Sequence, residues 1–279
     1  MAEIKVIFWL SVNMKKLNFF RLAYPVLITV LTYLPILIVV LYSFNESRIS
    51  SVWGGFSLKW YKELFSDSSM FGALLNSVVL ALSSSVLAAV IATSAALGIK
   101  KAVLPGKKMM ERAALLPLII PEIVLGMVFL AFFSLIGMKF GMLTLILAHT
   151  AFCVPYIYTQ VSARLEVMDH SAVEAARDLG ASGIKAFFTV TLPLLMPAVL
   201  SGMFLSFAMS FDDVIISVFC TGSSVNTLPI KIYTQLKTSV TPEVNALCAL
   251  MLAVTLVCYI ASAVIKARMR IRVNKNKDI

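Results

Sequence analysis

Hydrophobic positions along this chain neither alternate with polar ones nor recur as a narrow helical stripe; they run together. Six near-continuous apolar stretches stand out, at 22–44, 76–99, 114–136, 142–162, 194–219 and 244–265. Each reaches the length of roughly twenty residues that an α-helix needs to cross a hydrocarbon core of about 30 Å. In lipid every backbone N–H and C=O must be satisfied within the protein, so runs of this kind predict helices. The pattern therefore predicts an all-α integral membrane protein with six transmembrane helices. Lys15, Lys16 and Arg21 precede the first run as they would a signal peptide. That run is too long for a signal-peptide core and no small-residue cleavage site follows it, so an uncleaved span is expected.

Composition agrees. Sixty per cent of the 279 residues are hydrophobic and 14% are charged, with a mean hydropathy of +0.93. The net charge of +10 does not point to nucleic acid, because the basic residues flank the apolar runs instead of clustering on a soluble face. Their distribution sets the orientation. The N-terminal tail, the 100–112 loop, the 163–193 loop and the C-terminal tail carry 18 Lys and Arg, against 6 in the three opposite loops. The excess predicts both termini in the cytoplasm. It divides the chain into a cytoplasmic tail (1–21), a six-helix membrane domain (22–265) and a basic cytoplasmic tail (266–279). Cys153, Cys220, Cys248 and Cys258 show no CxxC spacing, so neither a disulfide nor a metal site is expected.

One cytoplasmic loop, 163–193, contains what reads as a small soluble helix pair. In Ser171-Ala172-Val173-Glu174 a capping box is expected, the Ser171 hydroxyl accepting from the Glu174 amide. Gly180 falls where a helix ends in the left-handed conformation. Between them Ala172, Ala175, Ala176 and Leu179 share a small, smooth face at helical spacing, and Arg177 and Asp178 suit a polar rim. A second short helix is expected from about 183 to 190. Leu192-Pro193 should break it, with Pro197 early in the next span, so that the chain turns sharply upward.

Glu174-Ala175-Ala176, Gly180 four residues on, and Leu192-Pro193 together resemble the EAA loop of ABC importer permeases of the type I fold. The resemblance extends over most of the chain. "YSFNES" at 42–47, "GFSLKWYKELF" at 55–65, "AARDLGAS" at 175–182, "LSFAMSFDDVIISVF" at 205–219 and "TLPIKIYTQLKTSVTPEVNALCAL" at 227–250 are similar to the spermidine/putrescine permeases, and among them to the PotC-type subunit. The resemblance implies a coupling helix between the fourth and fifth spans, with Glu174, Ala175, Ala176, Arg177, Asp178 and Gly180 contacting a cytoplasmic ATPase. It also implies a bacterial inner-membrane location, a paralogous permease forming a heterodimer with this chain, and a periplasmic or surface substrate-binding protein.

Three carboxylates fall inside expected spans: Glu122, Asp212 and Asp213. A charge at mid-membrane costs about 2.5–3.5 kcal/mol on insertion scales, so such residues usually face a cavity or a partner. They are candidates for lining the path of a polycation, and the resemblance implies a polyamine. Phe211 and Tyr233 could add cation–π contacts. Other roles stay open: Glu122 could pair with a partner's basic group, and Asp212 or Asp213 could cap a helix or close a gate. Glu122 is expected near the midplane after Pro121, with the two aspartates nearer the outer face. His149 has no second histidine near it in sequence and reads as a hydrogen-bonded interior residue; His170 reads as a loop residue.

In the outer loops, Trp53, Trp60 and Tyr61 read either as an aromatic anchor at the headgroups or as a docking surface. The 220–243 loop is long enough to fold back as a re-entrant element. GxxxxGK[ST], HExxH and GxSxG are absent from the sequence, so the expected chain is a transport subunit without a nucleotide site or cofactor of its own. The alternatives are the same architecture carrying ferric iron, thiamine or another small solute, or an intramembrane enzyme using Glu122, His149 and Asp213. The different depths expected for Glu122 and Asp213 argue against the enzyme.

Overall fold

The computed structural model describes residues 23–47, 52–101, 106–169, 171–223, 225–237 and 242–275. The expected tail at 1–21, the last four residues of the basic C-terminal tail and His170 lie outside them. Among the described residues regular structure is helical throughout, save one isolated antiparallel bridge between Asn45 and Phe56. The helices are α1 (Ala23–Tyr42), α2 (Lys59–Ser66), α3 (Ser68–Lys101), α4 (Lys107–Ile119), α5 (Glu122–Leu135), α6 (Met142–Glu166), α7 (Ser171–Asp178), α8 (Gly183–Ala186), α9 (Leu192–Phe211), α10 (Ile215–Cys220), α11 (Leu228–Leu236) and α12 (Pro242–Lys275). Five helical stretches are long and apolar enough to cross a membrane, or six if the bent pair α4–α5 counts as one span.

Three of the expected elements take a different form. The third span is not one helix: α4 and α5 meet at 106°. Pro121 forces Ile120 into an extended conformation (φ −76°, ψ 129°) and cannot donate the next ladder bond. The fifth is likewise not continuous to 219, because the helix stops at Phe211 and restarts as α10. The break expected at Leu192-Pro193 does not occur. Residues Gly183–Phe211 form one helical rod, in which a π-helical turn, Phe187–Thr191, joins α8 to α9. The wider turn lets the Leu192 amide reach back to the Phe187 carbonyl, just ahead of the proline that lacks an N–H of its own.

Contacts divide the chain into two compact units, one from the described residues up to Lys62 and the start of α12 through Ala249, the other from Glu63 onward and from Leu250. In the first, Asn45 is the hub of the loop after α1. Its side chain donates to the Val52 carbonyl (2.8 Å) and accepts from the amides of Gly54 (2.7 Å) and Ser47 (3.2 Å). The Trp60 indole donates to the Asn45 carbonyl (2.6 Å) and is buried. Trp60 is thus an internal strut, which suits neither the headgroup anchor nor the docking surface, whereas Trp53 is exposed.

The second unit is built around α3, α6 and α9, whose facing surfaces are small or hydroxylated. Ala81, Ser84, Ala88, Ala92, Ala148, Ala198, Ser201, Gly202 and Ser206 are all buried there. Where lipid is as apolar as leucine, close approach and hydrogen bonds hold helices together. A Cβ on Gly202 would lie 2.9 Å from the Ile157 Cα, so α9 and α6 meet backbone to backbone. Ser84 meets Ser210 at 3.1 Å, and Ser201 meets Ser262 at 3.0 Å, bringing α12 against α9. α11 lies along the first half of α3, its Leu228 amide donating to Ser77 Oγ (2.8 Å).

Candidate functional site

Both helix breaks carry acids. α9 is followed by Asp212, whose amide donates to the Ala208 carbonyl (3.3 Å). Asp213 then turns its carboxylate forward onto α10, accepting from the amides of Ile216 (3.3 Å) and Ser217 (2.9 Å). From the residue before the N-cap Val214 it satisfies amides that a helix start leaves unpaired, the service for which Asp is favoured at helix starts. Asp213 is buried and Asp212 is exposed. At the other break Glu122 opens α5 and is half-buried. It stands close enough to Asp212 and Asp213 for the charges to interact. Beyond the elbow at Pro121, α5 packs along α10, the helix that Asp213 caps.

His149, on α6, is fully buried against this break. Its Nδ1 lies 2.8 Å from Ser210 Oγ, and its Nε2 lies 3.1 Å from Ser217 Oγ and 3.5 Å from Asp213 Oδ2. Sequence pattern made it an interior hydrogen-bonded histidine; its partners are serines from elements far along the chain, which spacing cannot reveal. Among the described residues no group of His, Cys, Asp and Glu is arranged to hold a metal. The four cysteines are free thiols.

The two aromatic candidates part company. Phe211 is fully buried, stacked on Phe207 with ring centroids 5.8 Å apart. Tyr233, on α11, is 43% exposed and already carries a cation: Lys237 Nζ sits 4.3 Å over its ring.

The surface helix forms as its sequence requires, with one change. Asp169 caps it: Oδ1 accepts from the Ser171 amide (2.9 Å) and Oδ2 from the Ser171 hydroxyl (2.9 Å). The expected Ser171–Glu174 capping box is corrected accordingly, since Ser171 is already the first residue of α7 and not the flanking residue that such a box requires. At the other end Gly180 has φ +87°. Its amide donates to the Arg177 carbonyl (2.9 Å) and that of Ala181 to Ala176 (3.0 Å), the paired bonds of a Schellman stop. The main packing partners of α7 are α8 and the π-helical turn. A cavity of about 260 Å³, lined by Leu97, Leu165, Val173 and Phe187 among others, separates it from the ends of α3 and α6. Apolar side chains face outward instead: Leu179 is 89% exposed, Ile184 75% and Phe188 61%.

Residues 100–271 match the sequence profile of the binding-protein-dependent transport system inner membrane component family. The chain belongs to this family. It is a multi-pass inner-membrane permease subunit of the ABC importer kind. A spermidine/putrescine transport system permease protein PotC from Haemophilus influenzae is 37% identical over 247 residues, 88% of this chain and 96% of its own length. A putrescine transport system permease protein PotI from Escherichia coli is 38% identical over 237 residues, covering 82% of this chain and 84% of that protein. Among solved structures, the bacterial ABC transporter involved in import of the acidic polysaccharide alginate superposes with a TM-score of 0.65 at 14% identity, over 87% of this chain and 94% of that one. The MetNI methionine ABC transporter, in inward-facing conformations, gives 0.59 at 16% identity, over 72% and 98%. At such identities these two likenesses concern the fold.

Proposed function

We propose that this chain is the permease subunit of an ATP-driven importer of polyamines, forming half of the translocation path beside a paralogous permease. The observation that carries the substrate class is Asp212, an exposed carboxylate at a helix break inside the membrane domain, with Asp213 next to it in the chain and Glu122 at the neighbouring break. A cluster of acids in an apolar span has a use when the cargo brings several ammonium groups to it. The names of relatives at 37% and 38% identity, spermidine/putrescine and putrescine permeases, support the same reading. Tyr233 belongs to the path as an aromatic that already accepts an ammonium; Phe211 backs the acids from within the helix packing.

The excess of basic residues places α7 and both termini in the cytoplasm. There the apolar tip Leu179, Ile184 and Phe188 docks on a separate ATPase subunit, with Glu174, Ala175, Ala176, Arg177, Asp178 and Gly180 shaping the helix. A displacement of α7 passes through the π-helical turn into α9 and so to the acids at its far end. A substrate-binding protein delivers polyamine on the opposite side. The enzyme alternative is disfavoured because both ring nitrogens of His149 are engaged by serines.

Uptake of labelled spermidine by proteoliposomes containing the chain, its co-purifying permease and ATPase, and the matching binding protein tests this reading. Asp212→Asn should lower uptake by roughly tenfold or more, since a charge-assisted bond contributes about 1.5–3 kcal/mol. A complex that hydrolyses ATP but moves neither spermidine nor putrescine would keep the architecture and remove the substrate, leaving ferric iron or thiamine to be tried in its place.

A further inference from the structure

A break in a membrane helix is its least constrained point, because the backbone ladder stops there. At the α9–α10 break one side chain of another helix reaches both ends. Through Nδ1, His149 holds Ser210 in the last turn of α9, and through Nε2 it holds Ser217 in α10. Ser210 is held in turn by Ser84 of α3 (3.1 Å), and the Ser217 amide by Asp213 (2.9 Å). Either serine hydroxyl can donate or accept, so the network is satisfied in both tautomers of a neutral ring. An apolar residue could fill the same buried volume. It could not fix the distance between the two helix ends.

That distance decides which aspartate is available. The two aspartates sit in the break itself, where seating Asp213 on the α10 amides draws its carboxylate into the packing while Asp212 stays outside. The result is one sealed and one exposed carboxylate from two neighbours of identical chemistry. We propose that His149 is a positioning residue for translocation: by bracing Ser210 to Ser217 across the break it keeps Asp213 within the helix packing and Asp212 presented to the cargo. The proposal rests on the reading of Asp212 as a path carboxylate.

The test uses the full reconstituted complex with saturating loaded binding protein. It measures turnover of spermidine and of putrescine, ATP hydrolysed per polyamine delivered, and complex yield. His149→Leu should lower turnover by about tenfold, the scale of a lost buried hydrogen-bond pair, and raise ATP per polyamine. His149→Gln, which keeps a donor and an acceptor, should recover most of it. A brace acts only through the carboxylate it positions, so His149→Leu combined with Asp212→Asn should be no worse than Asp212→Asn alone. If His149→Leu does not assemble, Ser217→Ala takes its place, with a smaller loss that vanishes in the Asp212→Asn background. Multiplying losses in the double variant, or full turnover in the histidine variants while Asp212→Asn is impaired, overturns the brace alone. Normal turnover in Asp212→Asn overturns the path reading on which it rests.

Discussion

The surface helix α7 and the α9–α10 break are both polar interruptions of an apolar chain, and they are finished in opposite ways. At the break His149, Ser210, Asp213 and Ser217 satisfy one another and are buried, with Asp212 left outside that network. At α7 the backbone ends are satisfied, but Leu179, Ile184 and Phe188 are left outside. Polar groups sealed in an apolar layer hold a shape at a cost that lipid alone would never justify. Apolar groups left in the open on a rigid stub await a cover. The contrast separates a region that sets geometry from one that receives force, and the Gly183–Phe211 rod joins the two.

The sharpest way to break the contrast is at Gly180. Its φ of +87° lies in the left-handed region, and a Cβ built there meets nothing within 4 Å. The cost of a side chain is thus pure backbone strain, about 1–2 kcal/mol for an ordinary L-residue, enough to unwind a two-turn helix that packs on little else. Gly180→Val should abolish uptake while the subunit still inserts and assembles with its partner permease. Gly180→Asn, which tolerates this conformation, should retain most activity. Loss of membrane insertion in Gly180→Val would show that the turn serves folding instead.

A smaller effect is expected at Asp213, where the buried side of the comparison can be sharpened. Its carboxylate accepts from two amides, and losing an N-cap costs about 0.5–2 kcal/mol. Asp213→Ala should lower the thermal stability of the complex, whereas Asp213→Asn keeps a capping oxygen and should stay near wild type in stability. If Asp213→Asn instead reduces transport as much as Asp212→Asn at unchanged stability, Asp213 is a path residue and not only a cap.

Much of this is legible in the sequence. Apolar run length marks the spans, and Gly180 announces its own stop, because left-handed backbone is a local property with a local residue preference. Pro121 carried a signal too: a proline forces the residue before it out of helical backbone, yet an uninterrupted apolar run conceals the elbow. Pro193 misled in the opposite direction, since a π-helical turn upstream absorbs what a proline usually breaks. The His149 network could not be read at all. Its partners lie 61 and 68 residues away, and only the packing of α6 against α9 and α10 brings them together.

The least effect, and the finest test of the exposed side, comes from Asp169. It lies outside α7, yet both its oxygens serve the first helical residue, one taking the Ser171 amide and the other the Ser171 hydroxyl. Asp169→Ala should therefore cost about 1 kcal/mol of local helix stability. The Schellman stop at Gly180 is untouched, so the helix should fray from its start and keep its end. Hydrogen exchange at the first amides of α7 should quicken by roughly fivefold, the factor that corresponds to about 1 kcal/mol, with uptake reduced only slightly. Ser171→Ala removes just the hydroxyl bond and should do less. Ser171→Ala matching Asp169→Ala in exchange would return the cap to the serine and restore the Ser171–Glu174 box.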